Sequence, residues 1–83
     1  MKLLYFAWVR QRIGRSEETI AVPASVSTVA SLIEFLRARG EGYEAVFRDP
    51  KLIRCAVNQS HVGMDGRLAP DDEVAFFPPV TGG

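Results

Sequence analysis

Residues 2–9 are rich in β-formers and apolar on both alternating faces, with Leu3, Tyr5, Ala7 and Val9 on one and Leu4, Phe6 and Trp8 on the other. That pattern predicts a strand lying between two layers, or one showing a face to a partner. Residues 10–15 are polar and reach Gly14, which suits a loop or a short helical turn. Residues 17–22 alternate again, with Ile20 and Val22 as candidates for the buried side, and Pro23 ends the run. Ser25 or Ser27 is placed to cap a helix, and Val29, Leu32, Ile33 and Leu36 follow at i, i+3, i+4 and i+7. Arg37 and Arg39 favour the last turn of that helix, and Gly40 the position after it. Residues 42–50 are less regular, with Tyr43, Val46 and Phe47 able to anchor a short helix. Residues 52–58 predict a strand with Ile53, Cys55 and Val57 on one face, and His61-Val62 a short strand before a turn at 63–66. The last strand runs over 73–77, and Pro78-Pro79 stops it because proline lacks the N–H a ladder needs.

The order is strand, strand, helix, strand, short strand, strand. A first hairpin, one amphipathic helix and then further strands let the helix cover one face of a mixed sheet and leave the other open. The expected fold class is α+β: a ubiquitin-like β-grasp of about five strands, with one main helix on one face. The domain spans 1–77, and 78–83 form a flexible Gly-Gly tail. A chain of 83 residues has room for one core, and a domain of this size buries about 60% of its unfolded surface.

Charge changes the picture by exclusion. Ten Lys/Arg balance ten Asp/Glu, which argues against nucleic acid as the partner, since phosphate binding shows as a basic excess. The opening apolar run is too short to span a bilayer and has no small-residue cleavage site. One cysteine forms no internal disulfide. The expectation is a cytoplasmic protein with no membrane association.

Little of the chain is suited to catalysis. Cys55 alternates with buried positions, and burial raises a thiol's pKa, so it reads as core rather than as a nucleophile. With His61 the sole histidine, a multi-histidine metal site is excluded, and Asp71-Asp72-Glu73 lacks the glycine-punctuated spacing of a calcium loop. His61 is a surface residue or a contact on the open sheet face. If Val74 and Phe76 point inward, Ala75 and Phe77 point outward, and an exposed aromatic beside a tail is a docking anchor. Phe6 and Trp8 are divided between core and interface.

The tail carries the chemistry instead. A terminal Gly-Gly arises by chance in about 0.5% of chains at a glycine frequency of roughly 7%, so the ending Pro78-Pro79-Val80-Thr81-Gly82-Gly83 invites a functional reading. Glycine lets backbone approach another protein's atoms closely, and six residues reach at most about 20 Å. Pro78-Pro79 favours a stiff segment that projects the end away from the domain. The ionised carboxylate of Gly83 is a poor electrophile and must be activated, most simply as an acyl-adenylate made by another protein using ATP. Sulfur then captures the anhydride as a thiocarboxylate, or an amine captures it as an amide.

The ending from Asp72 through Phe76-Phe77-Pro78-Pro79-Val80-Thr81-Gly82-Gly83, together with Leu4-Tyr5-Phe6-Ala7, Val9-Arg10 and Ala56-Val57-Asn58-Gln59, resembles the small, sulfur-carrier subunit of molybdopterin synthase (the MoaD family). The similarity covers the whole chain. It implies a β-grasp protein whose Gly83 is adenylated by a ubiquitin-activating-type adenylyltransferase and then sulfurated by a sulfur donor protein. The tail, Pro78, Pro79, Val80, Thr81 and Gly82, would insert into the large subunit of a heterotetramer, where Gly83 delivers sulfur to precursor Z, the cyclic pyranopterin monophosphate. It implies no permanently bound cofactor, no catalytic side chain in this chain, and Phe77 and Phe6 at the interface, with Ala75 and His61 beside them. His61 stands where the family carries an aliphatic residue. Two further readings share the terminus: a sulfur carrier for thiazole or tRNA thiolation, and a ubiquitin-like protein modifier or interaction module.

Overall fold

The strand that ends in the tail lies at the centre of the sheet. In the computed structural model, which describes residues 1–79, β1 (Lys2–Tyr5), β2 (Glu17–Thr19), β3 (Arg54–Val57), β4 (Ser60–Val62) and β5 (Glu73–Phe77) form one mixed sheet in the order β2-β1-β5-β3-β4. β1 and β5 run parallel, in register from Lys2↔Glu73 to Tyr5↔Phe76, and the other pairings are antiparallel. Leu3 and Tyr5 from β1, Cys55 and Val57 from β3, and Val74 and Phe76 from β5 point to one buried face. The ring of Phe76 meets Phe47 edge-on at 4.9 Å and stacks at 6.3 Å from Tyr5, geometries that add to simple area burial. The expected β-grasp sheet is the one observed.

The first element is shorter than its apolar pattern predicts. β1 stops at Tyr5, and residues 7–13, expected in part as strand, form α1 (Ala7–Ile13). Ala7 adopts φ +54°, a left-handed conformation costing about 1–2 kcal/mol that turns the chain out of the sheet. Val9 and Ile13, one helical turn apart, then face the core, and Gly14 at φ +90° ends the helix with its N–H bonded to the Arg10 carbonyl at 2.8 Å. Trp8 therefore lies on a helix. In β2 the buried residue is Glu18, while Ile20 and Val22 are only partly covered.

Helix α2 (Val29–Arg37) buries Val29, Leu32, Ile33 and Leu36 as expected. Its cap is Thr28 rather than Ser25 or Ser27: the Ser31 N–H donates to Thr28 Oγ1 at 3.2 Å, and the Thr28 N–H donates to Ser31 Oγ at 3.0 Å, a reciprocal box. Two further free N–H groups, of Val29 and Ala30, donate to the carbonyls of Gly66 and Met64 in the expected 63–66 turn. Gly40 does not close α2. It precedes α3 (Glu41–Phe47), and its carbonyl accepts from the Glu44 N–H at 3.0 Å. The two helices are clamped by Arg37, whose Nε and Nη2 donate to the Glu44 carboxylate at 2.7 and 3.3 Å. A short 3₁₀ turn (Pro50–Leu52) takes the first residue expected of the third strand. The expected main helix and the short helix anchored by Tyr43, Val46 and Phe47 are both present, and α1 makes three helices among the described residues.

Helix α1 packs on α3 through Gly42, where a Cβ would fall 2.5 Å from the Arg12 carbonyl oxygen. Only glycine permits that approach. Between β3 and β4, Asn58 and Gln59 occupy positive φ of 50° and 72°, the two-residue turn that matches strand twist. The Asn58 side chain also binds the start of β5, donating to Asp72 Oδ1 and accepting from the Glu73 N–H, both at 3.0 Å.

The buried Glu18 carboxylate is fully occupied. Tyr5 and Tyr43 each donate a hydroxyl to Oε2 at 2.7 Å, and Arg39 and Arg15 donate to Oε1 at 3.0 and 3.2 Å. Burial alone would raise its pKa, but the Tyr43 and Tyr5 hydrogen bonds and the Arg39 guanidinium together hold it below the ordinary glutamate value of 4.5. The native state therefore binds fewer protons here than the unfolded chain, so this stabilisation is complete above the ordinary value and is lost as pH falls through the native one.

Glu18→Gln should cost about 2 kcal/mol, the worth of charge-assisted bonds to a carboxylate. It should also flatten the loss of the urea midpoint below about pH 4.5, leaving a residual slope from Asp72 and Glu44, which are also held low. An unchanged acid slope would remove Glu18 from the titration. Gly42→Ala should lower stability by about 1–3 kcal/mol through overpacking, measured by chemical denaturation.

Candidate functional site

β5 delivers Phe77 to one end of the sheet, where its neighbours are Arg54 across β3 and Phe6 beyond the end of β1. The Phe6 N–H donates to the Phe76 carbonyl at 3.1 Å, so the β1 line continues by one residue and carries Phe6 to the level of Phe77. Alternation then separates two faces. Val74 and Phe76 are sealed in the core, while Ala75 and Phe77 are half-buried on the opposite side.

That opposite face is assembled in rows. Leu4, Ala75, Ala56 and His61 lie across four strands. Beside them the His61 ring reaches Phe77 at 5.4 Å between centroids, inclined at 59°, and Phe6 is 48% exposed. The helices cover the other face; in this row Ala56 is buried, Leu4 and Ala75 are half-buried and His61 is exposed. Phe6, Ala75, His61 and Phe77, singled out separately in the sequence, therefore share one surface. Trp8 does not join them.

On the helix side, Pro78 and Pro79 leave the ladder but are half-buried, lying against the domain rather than projecting freely from it. With Trp8 and Arg12 of α1, Ala45 of α3 and Leu52 of the 3₁₀ turn they line an open cavity of about 440 Å³. Leu52 is 53% exposed. Strand alternation through residues 2–9 hid this groove. The available signal was the four-residue spacing of Trp8 to Arg12 and of Val9 to Ile13, ended by Gly14. Val80, Thr81, Gly82 and Gly83 lie outside the described residues.

The remaining chemistry is muted. Cys55 is buried opposite Phe76 and Val62, and burial pushes its thiol up to about 12, which keeps it protonated at neutral pH. No group of three or more His, Cys, Asp or Glu that would hold a metal occurs among the described residues, and no helix there is long and apolar enough to cross a membrane. The arrangement is a folded handle with an aromatic face on one side of a tail root and an apolar groove on the other.

The ThiS family matches residues 3–83. The chain belongs to this family. Its relatives include the molybdopterin synthase sulfur carrier subunits of Escherichia coli (strain K12), 42% identical over 100% of this chain and 99% of that protein, and of Homo sapiens, 33% identical over 100% and 93%. Among solved structures, a Pyrococcus furiosus protein assigned as molybdopterin converting factor, subunit 1, superposes with a TM-score of 0.77 at 34% identity, covering 95% of each chain. SAMP1 from Haloferax volcanii gives 0.78 at 27% identity, over 100% of this chain and 98% of its own.

Native Cys55 should resist iodoacetamide at pH 8 and react once the chain is unfolded in urea, followed by intact mass. Rapid modification of the native protein would show that the thiol is accessible.

Proposed function

We propose that this chain is the sulfur-carrier subunit of a molybdopterin synthase, and that its functional group is the Gly83 carboxyl. The observation that carries this reading is full-length similarity to curated sulfur carrier subunits, at 42% identity to that of Escherichia coli. The fold supports it physically. A central strand with a sealed inner face runs without interruption into Pro78-Pro79, so the domain anchors the root of the tail.

The chemistry follows from the carboxylate. One carboxylate oxygen attacks the α-phosphorus of ATP on a ubiquitin-activating-type adenylyltransferase, and pyrophosphate leaves. The outer sulfur of a persulfide on a donor protein then attacks the acyl carbon and AMP leaves. A thiol attacks the donor's sulfur in the resulting acyl disulfide, the S–S bond breaks, and a thiocarboxylate departs as the two thiols are left as a disulfide. In the large subunit that sulfur passes to precursor Z to build the dithiolene. The terminal glycines suit a narrow channel because they lack Cβ atoms. Phe6, Ala75, His61 and Phe77 form the face that meets a partner, with the aromatic rings supplying most of the contact energy. The protein itself is a non-catalytic, cytoplasmic carrier, with ATP used by the activating enzyme and no cofactor of its own.

A protein-modifier reading is favoured by one observation, the likeness to SAMP1, small archaeal modifier protein 1. Both readings use an activated terminus; the acceptor separates them. Incubation with adenylyltransferase, ATP and sulfur donor should add the mass of one oxygen-to-sulfur exchange at Gly83. Conjugates on lysines of other proteins, without that exchange, would overturn the carrier assignment. Deleting Gly83 should abolish the exchange and leave the melting temperature within about 2 °C, since a change of about 0.3 kcal/mol moves it by about 1–2 °C in a domain of this size.

A further inference from the structure

The aromatic sheet face lies on one side of the tail root, and the groove formed by Trp8, Arg12, Leu52, Pro78 and Pro79 lies on the other. We infer that this groove is a second docking site for the large synthase subunit, taking an apolar side chain flanked by a carboxylate at the mouth of the channel that receives the tail. The inference rests on the carrier reading above and names a contact that reading does not contain.

Two observations identify the occupant. The first is continuity: two walls of the groove are Pro78 and Pro79, the residues from which the tail departs. A protein that encloses the tail must pass over them. Once there it meets an open apolar surface made by a half-buried tryptophan and a leucine left 53% exposed. Contacts of this kind, a large aromatic beside a hollow, dominate interface energetics.

The second is charge. The whole chain is neutral, yet this end of it is basic. Arg12 on the rim, Lys51 in the same 3₁₀ turn as Leu52, and Arg54 opposite Phe77 pair with no carboxylate among the described residues. The neighbouring Asp49 accepts from the Lys51 backbone N–H at 3.1 Å and keeps its negative charge, so three cations stand against it. Elsewhere Lys2, Arg15, Arg37, Arg39 and Arg48 each face an acidic side chain, whereas Arg10 and Arg67 pair with none among the described residues. Of the three at this end only Arg12 lines the hollow, with Lys51 and Arg54 on the adjoining surface. Cations with no carboxylate of their own fit a partner surface that supplies one, and such complementarity sets register and steers encounter.

Gripping both sides of the root has a mechanical consequence. A partner holding only the sheet face leaves the tail free to pivot about Phe77. One that also fills the groove fixes the direction in which Pro79 points, and that orientation costs less entropy for the residues beyond it.

The test uses the full chain and purified large subunit, with no ATP or sulfur donor. Trp8 is the sole tryptophan, so carrier labelled with 5-fluorotryptophan gives one fluorine resonance. That resonance should shift when unlabelled large subunit is added. By calorimetry Trp8→Ala and Arg12→Glu should each weaken binding at least tenfold, Trp8→Phe and Arg12→Lys should recover most of it, and Arg12→Glu should reduce the salt dependence. Melting curves check that each variant folds, and the milder Leu52→Ser replaces any that does not. Unchanged affinity in Arg12→Glu and in either Trp8→Ala or Leu52→Ser, with wild-type carrier binding normally, overturns the groove and leaves the carrier assignment standing. Weakened binding to the adenylyltransferase alone also overturns it. Failure of the wild-type carrier to bind the large subunit overturns both.

Discussion

The parallel pairing of β1 with β5 is the constraint on which everything else hangs. It places the first and last strands side by side at the sheet centre, from Lys2↔Glu73 to Tyr5↔Phe76, with the backbone bonds Lys2 N–H to Asp72 and Phe6 N–H to Phe76 extending it at both ends. Parallel neighbours cannot be joined by a tight turn. The intervening chain must cross the sheet, and the crossing elements α2 and α3 supply the layer that seals Leu3, Tyr5, Val74 and Phe76. Because β5 is held on both edges, its end is among the most rigid points of the molecule. A tail launched from there has a fixed origin.

The same pairing explains why the two sides of the tail root differ so much. The inner face of β5 is committed to the core, so the helices cannot also shield Ala75 and Phe77. The outward row from Leu4 through His61 remains open, and the His61 ring lies against Phe77. On the helix side, α1 stands close to α3 because Gly42 admits the Arg12 carbonyl. Trp8 and Arg12 are consequently set over Pro78 and Pro79. One absent side chain in α3 thus shapes a surface at the far end of β5.

Glu18 shows a different economy. A carboxylate in a small hydrophobic domain is costly unless every lone pair is occupied. Here two tyrosine hydroxyls and two guanidinium groups occupy it, drawn from β1, the turn after α2, α3 and the segment before β2. The network therefore ties the hairpin edge of the sheet to the helical layer. An apolar residue at position 18 would fill the space without fixing the angle between those layers.

Much of this was legible from the chain alone. The period of Val29, Leu32, Ile33 and Leu36 is local physics, and so are the stop at Pro78-Pro79 and the two-faced alternation of 73–77, because each depends on residues within a turn or a pleat of one another. The element order was enough for the β-grasp, and the residues of the ending for the family. What only tertiary structure decided were places where local patterns compete. Residues 7–9 continue the strand alternation of 2–9 and also begin the four-residue spacing of Trp8 to Arg12 and Val9 to Ile13, and the left-handed Ala7 that selects the helix has no signal in alanine's own preference. Glu18 shares the strand parity of Ile20 and Val22, but nothing local accounts for a buried carboxylate until Tyr5, Tyr43, Arg15 and Arg39 arrive from four directions. The groove beside the tail likewise draws its walls from residues 8 to 79, and its existence depends on distances in space that no spacing along the chain encodes.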